Sequence, residues 1–568
     1  MAYDVTLQVA ADRPVGRLPH FWNGVFGEIN TTYLRTGRKL LETISRIAPD
    51  PYYRRTMGAF SSGIGRQIGA FSSTNVYHED ADGNAFYDFE LFDAVFDPHV
   101  ELGLIPYVAV NFMPLPLSRA TDEDITAPWQ RKHAFGPKDY GKWRDLVTAV
   151  VRHGVDRYGA AEVARWCWEM WNEPDLRYYW MDSIEDFCRL YDHTAAAIKE
   201  VLPAARVGGN AVAGFDNEMF RQFLVHCTSG ANAVTGGAGA PLDFISFHVK
   251  GGPTGQLGLM TSQRLRQGYP VRTPSLEGMI QKTLQGLEII ASVGGLEGVP
   301  VHLTECDIDW GVGTSIYADP NMHYRNSEYF AAFQAALCRR LVEVRDAHPA
   351  NPIELTFMDT FYFEGTRIFE GARTLITADG VDKPVLNALR VLGRLGRQRL
   401  EVRGESPPVA ALATRSQDGA VQVMACNFTE RFNPLDTIGG VEEPPAAESE
   451  VAAGPEAGAA TVRVEEGRAP AAGAVETKAV ELVLTGMGEG PVEVEHFRID
   501  REHSNAYRLW QRMGSPLIPD DAQLAELHER MGLERLGEPE TLQPVSGTLR
   551  LRFDLPPHSV SLLVIANP

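Results

Sequence analysis

The chain is short of paired cysteines, of positive charge and of long apolar runs. Six cysteines, Cys167, Cys188, Cys227, Cys306, Cys338 and Cys426, are spread through 568 residues with no CxxC spacing. That argues against a disulfide framework and the common zinc motifs, and predicts free buried thiols and no metal site. Lys and Arg total 53 against 74 Asp and Glu, a formal net charge of −21. A nucleic-acid or anionic-membrane partner needs clustered cations, so neither is expected. No apolar run reaches the roughly 20 residues of a spanning helix. The N-terminus, Met1-Ala2-Tyr3-Asp4-Val5-Thr6-Leu7, alternates like a strand and lacks the basic start of a signal peptide. A cytoplasmic protein is the expectation. A Gly-rich dinucleotide turn after an early strand is also missing, and no cofactor is expected.

What remains is ordinary globular composition, with 44% hydrophobic and 22% charged residues over a length that implies two or three domains. From about residue 16 to 397, short apolar strands alternate with longer helical stretches. Ile105–Val110, Val163–Trp171, Arg206–Asn210, Leu242–Phe247, Val301–Thr304 and Ile353–Met358 read as strands. Tyr140–Tyr158, Ile184–Val201, Ser275–Ala291 and Asn326–Asp346 read as helices. This is an α/β pattern of a parallel sheet covered by helices. Polar residues stand at the C-terminal ends of several strands: Asn172 and Glu173, His248 and Lys250, Glu305, and Asp359. A (β/α)8 TIM barrel gathers all such ends around one mouth, which favours it over an open sheet.

Past residue 398 the pattern changes. Val421–Asn427, Ala479–Leu484, Val492–Ile499, Thr548–Phe553 and Val560–Ile565 read as antiparallel strands, interrupted by a helix at Asp521–Met531. That predicts a C-terminal β-sandwich over 398–568. A loop rich in Ala, Gly, Pro and Glu at about 442–474 has little to bury. Residues 1–15 carry a strand that is a candidate to join the sandwich.

Two carboxyl groups facing each other across a barrel mouth suit glycosidic-bond hydrolysis. Glu173 ends one strand, in Trp171-Asn172-Glu173-Pro174-Asp175, and Glu305 ends another, in Leu303-Thr304-Glu305. The interval between them holds three strand–helix units, which places them after strands 4 and 7. Trp168, Trp171, Tyr178, Tyr179 and Trp180 lie alongside and suit the apolar faces of sugars; the plainer alternative is that they are core.

These motifs resemble glycoside hydrolase family 39. The likeness rests on Asn172-Glu173-Pro174, on Asp243-Phe244-Ile245-Ser246-Phe247-His248, on Thr304-Glu305 and on the late segment Arg498-Ile499-Asp500-Arg501-Glu502-His503. It implies a retaining, metal-free enzyme with Glu173 as acid/base and Glu305 as nucleophile, acting on an oligosaccharide or glycoside. Two activities of that family compete, α-L-iduronidase and β-D-xylosidase. An α-L-iduronide is in effect a β-D-xyloside ring bearing a carboxylate at C5. His248-Val249-Lys250-Gly251 looks like the iduronidase pattern, as do Asp359 and Arg373, and Gly311 matches a glycine whose backbone meets the uronate. An Arg fork and a Lys ammonium supply the charge-assisted hydrogen bonds a buried carboxylate needs. The resemblance therefore implies a substrate carrying a carboxylate, with Asn172, His248, Lys250, Gly311, Asp359 and Arg373 as its binding set. The alternatives are a β-D-xylosidase of the same family and a non-catalytic glycan-binding barrel; the plainer reading of Lys250 and Arg373 is that they are solvated or pair with Asp or Glu. The likeness has two gaps. The segment Gln67–Ser73 lacks a histidine that the family carries there, leaving His78 as the candidate substitute, and the loop Met57–Gly65 differs from the iduronidase.

Overall fold

The computed structural model describes residues 3–28, 35–62, 73–127, 130–252, 274–309, 315–317, 320–360, 367–432 and 476–567. Gly311, the 442–474 loop and residues 63–72 lie outside them.

Eight strands close a parallel barrel in chain order: β1 (Gly24–Glu28), β2 (Tyr53–Met57), β3 (Ile105–Val110), β4 (Cys167–Met170), β5 (Arg206–Val212), β6 (Phe244–Lys250), β7 (Val301–Asp307) and β8 (Ile353–Asp359). β8 pairs with β1 to complete the ring. Strands covered on both faces read as continuous apolar runs; all six residues of β3 are buried. Two of the helices between strands show how side chains cap their starts. Asp139 accepts from the backbone of Gly141 and Lys142 at the start of Tyr140–Tyr158, and Ser183 accepts from Asp186 at the start of Ile184–Val201. Both caps fill donors that a helix N-terminus leaves open.

Two strands depart from the sequence reading. The stretch from Val163 is not one strand: a short helix, Ala160–Val163, precedes β4. β2 carries Arg54 and Arg55 side by side, both fully buried. Strand alternation sends them to opposite faces. Arg54 points outward, where a Cβ on Gly27 would collide with its guanidinium, so a larger residue at position 27 would have to push that guanidinium aside.

Strands β9 (Gln398–Arg403), β10 (Val409–Arg415), β11 (Val421–Asn427), β12 (Lys478–Thr485), β13 (Val492–Ile499), β14 (Thr548–Leu555) and β15 (Ser559–Ala566) belong to a second, ten-stranded sheet. The N-terminal strand Val5–Arg17 lies in it, antiparallel to β9 and parallel to β12. The sheet is therefore mixed, where an antiparallel one was expected. Val492 and Val494 near one edge share an apolar cluster with Leu549 and Leu551 at the other. Residues of the intervening strands link them into one continuous apolar layer, the core of the sandwich domain. The alternate residues Leu412, Met424, Phe497 and Leu562 join the barrel's own core instead. Helix Glu328–Ala347 lies against β10, β11, β13 and β15 at this junction.

Candidate active site

The upper end of the barrel interior is built on charge. Arg55 of β2 crosses it and meets three acceptors, two from β4 and its end and one from β7. Its Nε lies 2.6 Å from Glu169 of β4, one terminal nitrogen 3.2 Å from Glu305 of β7, and the other 2.9 Å from the side-chain oxygen of Asn172. Since Asn172 accepts through its oxygen, its amide nitrogen faces away from Arg55. Sequence reasoning missed Arg55 because two adjacent arginines look like a surface feature. The available signal was Glu169: a carboxylate inside an apolar strand needs a buried cation.

Glu173 follows β4 on a backbone turned twice into the left-handed region, at Trp171 (φ 69°) and at Glu173 itself (φ 47°). Such strain costs roughly 1–3 kcal/mol per residue and is concentrated at functional sites. The Glu173 amide donates to the Ala211 carbonyl near the end of β5, at 2.9 Å, which holds the turn in place. The Glu173 carboxylate is 2.9 Å from Nδ1 of His248 and 3.6 Å from Nζ of Lys250, both on β6. Glu305, in β7, is 2.5 Å from the same Lys250 ammonium. One ligand atom each from Glu173, His248 and Glu305 lie within 4.8 Å of one another. That set has the composition of a metal site, but Lys250 already supplies a cation to both carboxylates, and a divalent ion would have to displace it.

Burial opposes the ionised form of Glu305, but His248, Lys250 and Arg55 outweigh it and hold its carboxyl well below the usual range. Burial and the Glu305 charge also work against ionised Glu173; Lys250 and the His248 hydrogen bond prevail, and its pKa is lowered. The Glu305 charge pushes Glu173 toward holding a proton, and the Lys250 ammonium works against it. Lys250 itself stays charged: burial disfavours it, while Glu305, Glu173 and Asp307 raise its pKa.

A second cluster adjoins the first through Asp307. Arg373 is 2.6 Å from the Asp359 carboxylate and 3.2 Å from that of Asp307, and donates to the Asp309 backbone oxygen. Asp307 lies 4.0 Å from Lys250 and accepts from the Asp359 amide at 2.9 Å. Burial pushes the Asp307 carboxyl up despite Arg373 and Lys250. Asp309 is gripped by both arms of Arg325, at 2.8 and 2.6 Å, and Arg325 also donates to the Gly371 carbonyl at 3.1 Å. Lys250 and Arg373 are therefore both ion-paired. Asp307, Asp309 and Arg325 were not singled out from the sequence; only Asp307, two residues past Glu305 on the same strand face, carried a signal.

Other expectations fare differently. Trp168, Trp171 and Trp180 are core: each is at most 1% exposed, and the Trp171 and Trp180 indoles donate to the Tyr179 and Ser183 carbonyls. The last two meet edge to face at 5.2 Å, so none of the three offers a ring face to a sugar. His78 stacks on Phe86 in a small separate hairpin. Cys306 is buried within the barrel core.

Comparison with known proteins places this geometry. The family described as Glycosyl hydrolases family 39 matches residues 6–533. The chain is 27% identical to a β-xylosidase of Caldicellulosiruptor saccharolyticus over 494 residues, covering 86% of this chain and 85% of that one. It is 26% identical to the α-L-iduronidase of Canis lupus familiaris over 521 residues, covering 86% and 68%. Among solved structures, a bacterial orthologue of human α-L-iduronidase superposes with a TM-score of 0.76 at 21% identity, over 100% of this chain and 84% of that one.

Proposed function

The chain belongs to glycosyl hydrolase family 39 and is a glycoside hydrolase, and within that family we propose that it removes terminal α-L-iduronide residues with retention of configuration. The observation that carries the sugar assignment is the pair of buried cations, Lys250 and Arg373, joined through Asp307 beside Glu305. At Asp307 burial outweighs Arg373 and Lys250, so its carboxyl is pushed up, whereas those of Glu173, Glu305 and Asp309 are held down. A substrate carboxylate arriving between Lys250 and Arg373 takes over their charge as Asp307 takes up a proton, so the site binds an anion without a net excess of cations.

The chemistry is assigned to Glu173 and Glu305. Carboxyl groups in retaining enzymes stand about 5–5.5 Å apart, and in inverting ones roughly 6.5–9.5 Å. The 4.8 Å limit on the cluster fits the first class. Ionised Glu305 attacks the anomeric carbon. A substrate carboxylate that engages Lys250 draws the ammonium away from Glu173, which then takes up the proton it delivers; the glycosidic C–O bond breaks, and its electron pair leaves with the oxygen, which takes that Glu173 proton. Glu173 then takes a proton from water, whose oxygen displaces Glu305 from the ester. Arg55 and Lys250 stabilise Glu305 as it departs. Asn172, with its amide nitrogen turned away from Arg55, donates to a sugar hydroxyl.

A β-D-xylosidase is the second reading. It is favoured by the 27% identical relative and by the pairing of both cations with carboxylates, which a neutral sugar leaves undisturbed. Membership in a hydrolase family removes the non-catalytic barrel. Parallel kinetics on an aryl α-L-iduronide and an aryl β-D-xyloside decide the sugar: turnover of the xyloside alone rejects the uronide assignment.

A further inference from the structure

The carbonyls of Phe369, Glu370, Gly371 and Ala372 lead into Arg373, and each accepts from a donor elsewhere in the barrel. The Asn326 side-chain amide donates to Phe369 at 2.8 Å, and the Ile316 backbone amide to Glu370 at 2.8 Å. Arg325 donates to Gly371 at 3.1 Å, and the Lys383 ammonium to Ala372 at 2.9 Å. Arg325 and Asn326 end the short helical turn Pro320–Asn326 between β7 and β8, and Lys383 stands just before helix Pro384–Gly393. Arg325, Asn326 and Lys383 are all fully buried. A buried cation must find acceptors, and charged donors make the stronger hydrogen bonds, so two of these carbonyls are held firmly. The stretch also has little room to shift. Gly371 lies at φ 105°, and a Cβ there would come 2.6 Å from the Ile316 side chain.

Arg325 does more than hold one carbonyl. Its Nε and one terminal nitrogen take both oxygens of Asp309, and Arg373 donates to the backbone oxygen of that same Asp309. Arg325 therefore fixes both the chain two residues behind Arg373 and the residue on which the Arg373 tip rests. A ring of contacts closes: Arg325 to Asp309, Asp309 to Arg373, and along the chain to Gly371 and back to Arg325. Burial opposes ionised Asp309, but Arg325 and Arg373 outweigh it and hold its carboxyl down, so the ring keeps its charges.

We propose that Arg325, with Lys383 as a second support, is a positioning residue that sets selectivity for a carboxylate-bearing sugar by fixing the Arg373 fork. The inference rests on Arg373 receiving the substrate carboxylate. A guanidinium recognises a carboxylate through two parallel bonds in one plane, so its contribution depends on where that plane is held. A neutral pyranose makes no such demand on Arg373. Arg325 is itself forked onto Asp309 and acts through Arg373.

Competitive inhibition by L-iduronate and by D-xylose, read on whichever aryl glycoside the enzyme turns over, measures that selectivity. Arg325→Lys keeps the charge but cannot fork onto Asp309 and reach Gly371 as well. Its Ki for L-iduronate should rise roughly tenfold, with Ki for D-xylose within about a factor of two of the parent's. Lys383→Met, which leaves the Ala372 carbonyl without its ammonium, should shift the same ratio by a smaller factor, and it carries the test if the first variant does not fold. Equal weakening of both inhibitors, or an unchanged ratio in both variants, overturns the inference. Arg373→Lys tests the premise separately. If it leaves L-iduronate binding unchanged, the uronide reading falls and the inference with it. If it weakens L-iduronate while Arg325→Lys and Lys383→Met do not, the positioning role alone falls.

Discussion

The two ends of the barrel are built from the same eight strands and are chemically opposite. At the lower end, Phe26, Tyr107, Cys167, Phe244, Leu355 and Phe357 fill the interior as a packed core. Tyr107 and Phe357 meet at 4.6 Å, and His302 stacks on Phe244 at 4.5 Å. The polar atoms there are turned outward or closed off: His302 reaches Glu354 at 2.7 Å and the Tyr107 hydroxyl at 3.1 Å. At the upper end, Arg55, Glu169, Glu173, Lys250, Glu305 and Asp307 crowd together with little water-facing surface. A buried ion pair is weak evidence for stability, because desolvation offsets most of the Coulomb gain. The lower end stabilises the fold, and the upper end holds charges ready for chemistry at a cost the lower end supports.

Substitutions at each end should separate these roles. The largest effect is expected from Glu305→Gln, which keeps the shape and removes the nucleophile. Its kcat should fall by on the order of 10⁴ or more, measured on an aryl glycoside, with thermal unfolding little changed. Arg55→Met should damage both properties, since it strands Glu169 in the barrel without a cation. Unfolding in denaturant should show about 3–5 kcal/mol lost, and adding Glu169→Gln should recover part of it. If Arg55→Met is as stable as the parent, the upper end is not a buried charge network.

Phe357→Ala at the lower end should cost about 3–5 kcal/mol while KM stays close to the parent's at a temperature where the variant is folded. A large KM change there would break the division between the two ends. Lys250→Met should have a milder and more specific effect. The ammonium lowers the pKa of both Glu173 and Glu305. Removing it should raise both, moving the two limbs of the pH–rate profile upward, and should harm a uronide more than a xyloside.

The smallest effect concerns Asp175, whose carboxyl is pushed up to about 6 by burial and by the Glu173 charge. A carboxyl with a raised folded pKa contributes stability below its unfolded pKa and loses it as pH rises through about 6. Asp175→Asn keeps one acceptor oxygen and sets its amide nitrogen against the second backbone N–H, since Ala213 and Gly214 donate to different oxygens, so its Tm relative to the parent should be a few degrees more favourable at pH 7 than at pH 4. A parallel shift at both pH values would contradict the assignment.

The lower end and the sandwich were largely legible from sequence, and much of the upper end was not. Ile105–Val110 and Val421–Asn427 are apolar runs that match observed strands, and the limits of Tyr140–Tyr158 follow from periodicity and the Asp139 cap. Glu173 and Glu305 stood out because each closes an apolar run with a charge. β1 and β2 were missed because Gly24–Glu28 is short and Tyr53–Met57 is dominated by its arginines. Arg55 acquires its meaning only when the ring closes and Glu169, Asn172 and Glu305 surround it. The tryptophans failed for the converse reason. Trp168 and Trp171 sit next to Glu173 in sequence, but nearness in sequence does not say which way a ring packs, and both pack into the core.

The central claim is that Glu173 and Glu305 work as a retaining pair. Proton NMR of the first-formed sugar, recorded before the anomers equilibrate, tests it most directly. The proposed mechanism predicts that the released sugar appears first with the anomeric configuration of the substrate; initial appearance of the opposite anomer would contradict it.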